Sequence, residues 1–183
     1  IDLTKNWSIF VFGSLISRNI TSRETLKELL KIAPFKLFDV NLRSPYYNLN
    51  LIKELMLSSD FIKFNLEEIT EISSIYNKKK TSLEGMIKTI SKETKTTEIC
   101  VTMGEKGACY YTNNLFYYQD GFKIKVLDTI GAGDSFLATL VEGILNNTKP
   151  EKVLKKACAV AAIVASKKGA TSKVSLNEIS DLI

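Results

Sequence analysis

Along the chain, short apolar runs alternate with stretches in which apolar residues recur every three or four positions, the two periods of strand and helix. Trp7-Ser8-Ile9-Phe10-Val11-Phe12 is rich in aromatic and β-branched residues and stops at Gly13, which predicts a strand. Thr21 with Glu24 three positions on predicts a capping box, opening a helix that carries Leu26, Leu29 and Leu30. Phe35 to Val40 predicts a second strand, Asn41-Leu42-Arg43-Ser44-Pro45 a loop, and Leu49 to Leu57 a helix. Asp60 to Phe64 is a third strand, followed by a helix over Leu66 to Tyr76 with Ile69, Ile72 and Ile75 on one face, then a helix near Leu83 to Ser91. Ile99 to Met103 predicts a strand entering the tight turn Gly104-Glu105-Lys106-Gly107. Ala108 to Thr112 and Leu115 to Tyr118 predict a hairpin about Asn113-Asn114. Lys123 to Val126 leads into a glycine-rich stretch and a helix bearing Phe136, Leu137, Leu140, Val141, Ile144 and Leu145. Pro150 precedes a helix over Glu151 to Ser166 that Gly169 stops, and Leu176 to Ile183 predicts a terminal helix. This alternation predicts βαβ units and a doubly wound α/β fold, with a mostly parallel sheet and helices on both faces. No repeat, low-complexity segment or linker interrupts residues 1–183, so a single domain is expected.

The stretch Asp128-Thr129-Ile130-Gly131-Ala132-Gly133-Asp134-Ser135-Phe136 carries the most chemistry. Its glycines fall at a helix N-terminus, where backbone N–H groups lack partners and the peptide dipoles favour negative charge. That is an anion cradle, and side chains larger than Gly or Ala at 131 to 133 would keep a phosphate from the backbone. Asp134 beside such a site makes sense as the acceptor of a proton from an attacking hydroxyl. Read as a bare Gly-x-Gly-Asp, the same residues are a glycine turn with a first-turn acid that suits the helix dipole.

Composition narrows the chemistry. The chain has 183 residues and no histidine, which removes Ser-His-Asp and Cys-His catalysis and imidazole metal sites. A general base must then be a carboxylate, Lys, Tyr or Cys. Cys100, Cys109 and Cys158 are odd in number and lack metal-ligand spacing, so they read as reduced thiols of a cytoplasmic protein. No run approaches a membrane span, and Ile1 to Asn6 carries Asp2 and does not resemble a signal peptide. The net charge of +5 gathers locally at Lys78 to Lys80, Lys155-Lys156 and Lys167-Lys168 without interleaved aromatics; these read as solvated faces, with no nucleic-acid partner expected. A mild positive balance also suits an anionic nucleotide.

Further candidates stand where strands end. Asn65 and Glu68, three apart at a helix start, can serve a triphosphate and its Mg²⁺ through ordered water; they are equally an N-cap and its N3 partner. Asp39 and Asn41 alternate at the end of the second strand, and Arg43 can clamp a phosphate; an ordinary loop whose Asp and Asn satisfy turn backbone explains them too.

The nine-residue glycine stretch resembles the signature of the ribokinase-like PfkB carbohydrate kinase family, in which Asp-Thr-x-Gly-Ala-Gly-Asp supplies the anion hole and the catalytic base. Asn65-Leu66-Glu67-Glu68 resembles the family's Asn-x-x-Glu, and Thr102, Gly104 and Gly107 its Thr-x-Gly-x-x-Gly turn at the nucleotide. Asp39-Val40-Asn41-Leu42-Arg43 is similar to a segment of fructokinase-like and ketodeoxygluconate-kinase-like members. The helix around Ala157, Cys158 and Ala161 with Gly169-Ala170 resembles the adenine-side wall, with Cys158 where many members carry Asn. With Gly13-Ser14-Leu15, these motifs occur in family order and span nearly the whole chain.

The resemblance implies an ATP-dependent sugar kinase, with fructose as the expected acceptor and ketodeoxygluconate, ribose or a nucleoside as alternatives. Asp134 would be the base; the Gly131, Ala132 and Gly133 amides and Arg43 would serve the transferred phosphoryl; Asn65, Glu68, Thr102, Gly104, Gly107, Gly133 and Cys158 would face the nucleotide. Glu68 would help place Mg²⁺ through water, and Asp128 with the Ile130 carbonyl matches positions that hold K⁺ in potassium-dependent relatives. The resemblance covers the later part of a family member. Its first strands, sugar-binding Gly-Gly motif and β lid are therefore expected to be missing, leaving an exposed sheet edge and the alternative of a nucleotide-binding fragment without catalytic competence. A homodimer of the whole protein is compatible with this reading.

Overall fold

The computed structural model describes residues 7–77 and 81–183. The run Lys78 to Lys80 and the start Ile1 to Asn6, on which two expectations rest, lie outside the described residues. Six strands, Phe10–Gly13 (β1), Lys36–Asp39 (β2), Phe61–Asn65 (β3), Glu98–Thr102 (β4), Ala108–Thr112 (β5) and Leu115–Gln119 (β6), form one sheet in the order β1-β2-β3-β4-β5-β6. β1, β2 and β3 are parallel, with Phe12, Phe38 and Ile62 in register. The helices are Ile20–Ile32 (α1), Leu49–Leu57 (α2), Leu66–Tyr76 (α3), Leu83–Thr94 (α4), Ala132–Leu145 (α5), Pro150–Ala165 (α6) and Leu176–Leu182 (α7). The strand-helix alternation read from the sequence is the architecture found. Among the described residues no helix is long and apolar enough to cross a membrane.

The helix starts follow from their caps. Asn48, Asn65, Ser82 and Ser175 each accept a backbone N–H of the first turn, which satisfies donors that a helix start otherwise leaves open. α1 differs from expectation. Its cap is Asn19, which accepts from the Thr21 and Ser22 N–H groups, and Thr21 lies inside the first turn, where its carbonyl accepts from the Thr25 hydroxyl. Asn is a stronger N-cap than Thr, so the chain turns two residues earlier than the Thr21 and Glu24 spacing suggested. α4 runs on to Thr94 and stops at Lys95, which takes a left-handed conformation. Pro150 opens α6 as its first residue, where a missing N–H costs nothing. Asn113 and Asn114 both have positive φ, as the two-residue turn between β5 and β6 requires.

The chain divides into two compact units. One comprises the described residues up to Val101 with Tyr111–Asn114; the other comprises Thr102–Tyr110 with Leu115–Ile183. In the first, β2 and β3 are buried almost throughout: Leu37, Phe38, Phe61, Ile62 and Phe64 expose nothing, the near-continuous apolar pattern of parallel strands covered on both faces. The Phe12 and Phe38 rings stack at 5.0 Å. β1 ends the strand order and leaves Val11 exposed. In the second unit α6 packs against α5, α7 and β6. Gly143 makes the α5–α6 approach possible, because a Cβ there would lie 2.5 Å from the Val153 side chain.

Candidate functional site

The first unit gathers polar groups at the carboxyl ends of its parallel strands, where an open α/β sheet presents ligand-binding groups. Lys63 donates to Asp39 Oδ1 at 2.9 Å, with side-chain exposures of 8% and 12%, so β2 and β3 are pinned by a buried ion pair. Ser14 donates to the Asn41 carbonyl, and Asn41 itself has φ of 41°. Glu68 is the hub. Its Oε1 accepts the Leu42 N–H at 2.9 Å, its Oε2 accepts the Asn65 N–H at 2.8 Å, and Asn65 Oδ1 accepts the Glu68 N–H in return. The capping box read from Asn65 and Glu68 is therefore present, and it also ties down the loop leading to Arg43. Burial pushes the Glu68 carboxyl above the ordinary carboxylate range, against the opposing pull of the Asn65 and Leu42 N–H groups and the Lys63 ammonium. The Arg43 side chain is exposed, and its guanidinium reaches the Leu42 carbonyl at 3.5 Å.

The second unit holds a cavity of about 640 Å³, within the range of small-molecule sites. The turn at Thr102, Gly104 and Gly107, the segment 121–126, the start of α5 and one face of α6 all line it. Its walls are close backbone contacts. Gly107 has φ of 90°, and a Cβ there would lie 1.9 Å from the Gln119 carbonyl oxygen; a Cβ on Gly121 would lie 2.1 Å from that of Glu105. Only glycine fits either position, and the 104–107 turn lies flat on the chain after β6.

At the start of α5 the two glycines do different work. Gly131 has φ of 82°, and its missing Cβ leaves room for the Ala170 carbonyl, 2.3 Å from where that atom would be. A Cβ on Gly133 would meet nothing within 4 Å. No side chain caps this helix. The Ala132 N–H reaches the Thr129 carbonyl at 3.2 Å, while the Gly133 and Asp134 amides have no partner among the described residues. Asp134 is exposed beside them. Asp128 holds the turn in place: Oδ1 accepts the Ile130 N–H at 3.0 Å and Oδ2 accepts the Gly169 N–H at 3.1 Å. Cys158 lies on the α6 wall, 7% exposed, and burial pushes its thiol up to about 12, so it stays neutral.

The structure thus brings Thr102, Gly104, Gly107, Ala132, Gly133 and Cys158 to one cavity. Sequence reasoning passed over Gly121, Phe122, Ile124 and Val126, which line it with Lys123. Lys63 was also missed. A lysine inside an apolar strand is the signal that an acid waits opposite.

Among the described residues no three Asp, Glu or Cys side chains gather as a metal cage. Mg²⁺ commonly rides on substrate phosphates and water with one or two carboxylates, so a single carboxylate fits that ion. Asp128 and the Ile130 carbonyl supply only part of the oxygen set a monovalent cation needs.

The profile of the pfkB family carbohydrate kinase matches residues 2–177. Fructokinase-2 of Solanum lycopersicum is 30% identical over 193 residues, covering 93% of this chain and 55% of the relative. A sugar kinase of Pyrococcus horikoshii, solved in complex with ATP, is 29% identical with a TM-score of 0.76, covering 92% of this chain and 55% of that one. The 2-dehydro-3-deoxygluconokinase of Thermotoga maritima has a TM-score of 0.85 at 19% identity, covering 96% and 59%, and shows likeness of fold alone. The chain spans somewhat more than half the length of these relatives. With the family profile matched over nearly all of its residues, the chain belongs to the pfkB family of carbohydrate kinases.

Proposed function

We propose that this chain is the nucleotide-binding and catalytic C-terminal portion of a single ribokinase-like domain, in an enzyme that transfers the γ-phosphoryl of ATP to a sugar hydroxyl, with fructose the leading acceptor. The observation that carries the reading is the α5 start: Gly133 and Asp134 amides without a partner among the described residues, beside a cavity whose α6 wall is apolar. An anion belongs at those amides and a base ring at the apolar end. Resemblance to plant fructokinase at 30% identity supports the acceptor.

In this reading Asp134 accepts the proton of the attacking sugar hydroxyl, and the amides at the start of α5 stabilise the charge on the transferred phosphoryl. Asp128 holds the turn in shape through its bonds to the Ile130 and Gly169 N–H groups. Glu68 would hold Mg²⁺ through water, and that ion would neutralise phosphate charge; Arg43 would clamp a phosphate. Cys100, Cys109 and Cys158 are buried and outside any disulfide, which supports a cytoplasmic setting.

The test is sugar-dependent ADP release by the full-length enzyme, with fructose, ketodeoxygluconate, ribose and a nucleoside as acceptors. Fructose-stimulated turnover is expected, and Asp134→Asn should lower it by at least about 10²-fold, the lower range for a general base, while ATP affinity stays close to the parent's. Turnover retained in Asp134→Asn refutes the base assignment. ATP binding without stimulation by any acceptor favours a nucleotide-binding protein without catalytic competence.

A further inference from the structure

We infer, resting on the reading of Arg43 as a phosphate clamp, that Ser14 and Glu68 are positioning residues, which aim it by gripping one peptide group of its loop at both ends. That peptide joins Asn41 to Leu42. Its carbonyl accepts the Ser14 hydroxyl at 3.0 Å, and its N–H donates to Glu68 Oε1 at 2.9 Å. The two side chains come from separate elements, the short turn Ser14–Arg18 after β1 and the first turn of α3, 27 and 26 positions from the groups they hold. Both are buried, which shields the bonds from competing water.

The backbone there does not settle its own direction. Asn41 has φ of 41°, a left-handed conformation that a residue with a side chain keeps only where its surroundings impose it. A planar peptide group between two loop residues can rotate as a unit, through the torsion before it and the torsion after it. Here a half-turn would set the carbonyl against the Glu68 carboxylate, acceptor against acceptor, so the pair of grips admits one orientation. Asn41 and Leu42 are half-buried, and water could satisfy such a peptide; two buried side chains from remote elements do more than that. Arg43 follows directly. Its side chain is exposed and its guanidinium lies 3.5 Å from the Leu42 carbonyl, the outer limit of a hydrogen bond, so its starting direction is set by the backbone. Beyond it the loop is tied again, by the Tyr46 N–H on the Arg43 carbonyl at 2.7 Å and by the Tyr47 hydroxyl on Glu71 of α3. Each Glu68 oxygen takes one N–H and keeps a lone pair for water, so this task stands beside its place near Mg²⁺.

The experiment is calorimetric titration of the full-length enzyme with MgATP, in a double-mutant cycle of Ser14→Ala and Arg43→Met. Ser14 is chosen because it is neither part of the α3 cap nor a carboxylate. Arg43→Met should weaken binding by about tenfold to a hundredfold, the loss of a charged hydrogen bond to phosphate. Ser14→Ala should weaken it by about threefold to tenfold, because fewer molecules hold the clamp in the competent direction. With Arg43 already gone, Ser14→Ala should change affinity by less than about twofold. Ser14→Cys fills nearly the same space with a weaker donor and gives the same comparison where the alanine variant does not fold. Unchanged affinity in the Ser14 variants, or an equal loss with and without Arg43, makes Ser14 a purely structural residue and overturns the inference while the clamp stands. An Arg43→Met protein that binds MgATP like the parent, or a parent that binds none, overturns the clamp and the inference with it.

Discussion

Gly133→Ala separates the two things a glycine at the start of a helix can do. Gly133 is the second residue of α5, and a Cβ there would meet nothing within 4 Å. The fold therefore loses no packing when a methyl is added, and the helix gains because Ala sheds less backbone entropy than Gly. The full mid-helix difference is about 0.5–1 kcal/mol, and a position in the first turn should realise about half of it. For a chain of this size that corresponds to a rise of about 0.5–2 °C in melting temperature. Binding should move the other way. The sequence pattern admits Ala as well as Gly here. In the structure, however, a methyl on residue 133 would project into the open space at the start of α5 that the anion would occupy, and losing one hydrogen bond to a charged phosphate costs about 1.5–3 kcal/mol. ATP affinity should fall by about tenfold to a hundredfold. Calorimetric melts and titration with MgATP on the same preparation read both effects. Unchanged affinity refutes the amide cradle, and a melting temperature lowered by several degrees refutes the open space. Gly131→Ala is the contrast. Its φ of 82° and the Ala170 carbonyl, 2.3 Å from the new Cβ, should lower stability. Backbone strain and overpacking together set that loss at about 2–5 kcal/mol.

Glu68 should leave a signature in the pH dependence of stability. Its folded pKa is raised above the ordinary 4.5, so the folded chain holds this proton more tightly than the unfolded one. Stability should then fall as pH rises from about the ordinary value through the folded one, and urea midpoints of the parent should decline relative to Glu68→Gln across that window; parallel profiles would remove the effect. Lys63→Met leaves Asp39 buried without its partner and should cost about 3–5 kcal/mol, most of it recovered in Asp39→Leu/Lys63→Met; equal losses in the single and double variants would show that the pair is not coupled. Gly107→Ala, with its Cβ 1.9 Å from the Gln119 carbonyl oxygen, should disrupt the 104–107 turn and lower the melting temperature by several degrees. Gly104→Ala has no neighbour within 4 Å and carries only a positive-φ cost of about 1 kcal/mol; similar melting temperatures for the two would refute the close backbone contact.

Local rules were enough to read most elements of this chain. The bounds of α2 and α3 are those that hydrophobic spacing predicts, and Asn113-Asn114 turns the hairpin as its residue types require. Such elements depend on period, cap and turn chemistry within a few residues, and the sequence displays all three directly. The family signature was equally legible, because it is carried by small residues at fixed offsets along one segment.

What the sequence left open depends on residues far apart along the chain. It offered Asn65 and Glu68 as a cap or as a metal helper, and only the fold revealed that Glu68 also holds the Leu42 N–H, 26 positions away. It grouped Gly131 with Gly133, whereas the fold gives the first to the Ala170 carbonyl and leaves the second open. It gave no reason for Gly121 or Lys63, whose partners Glu105 and Asp39 are brought near by tertiary folding. A glycine excused by a distant carbonyl and a lysine neutralised by a distant acid look, in one dimension, like any other glycine and lysine. Contact with a remote partner is what distinguishes them.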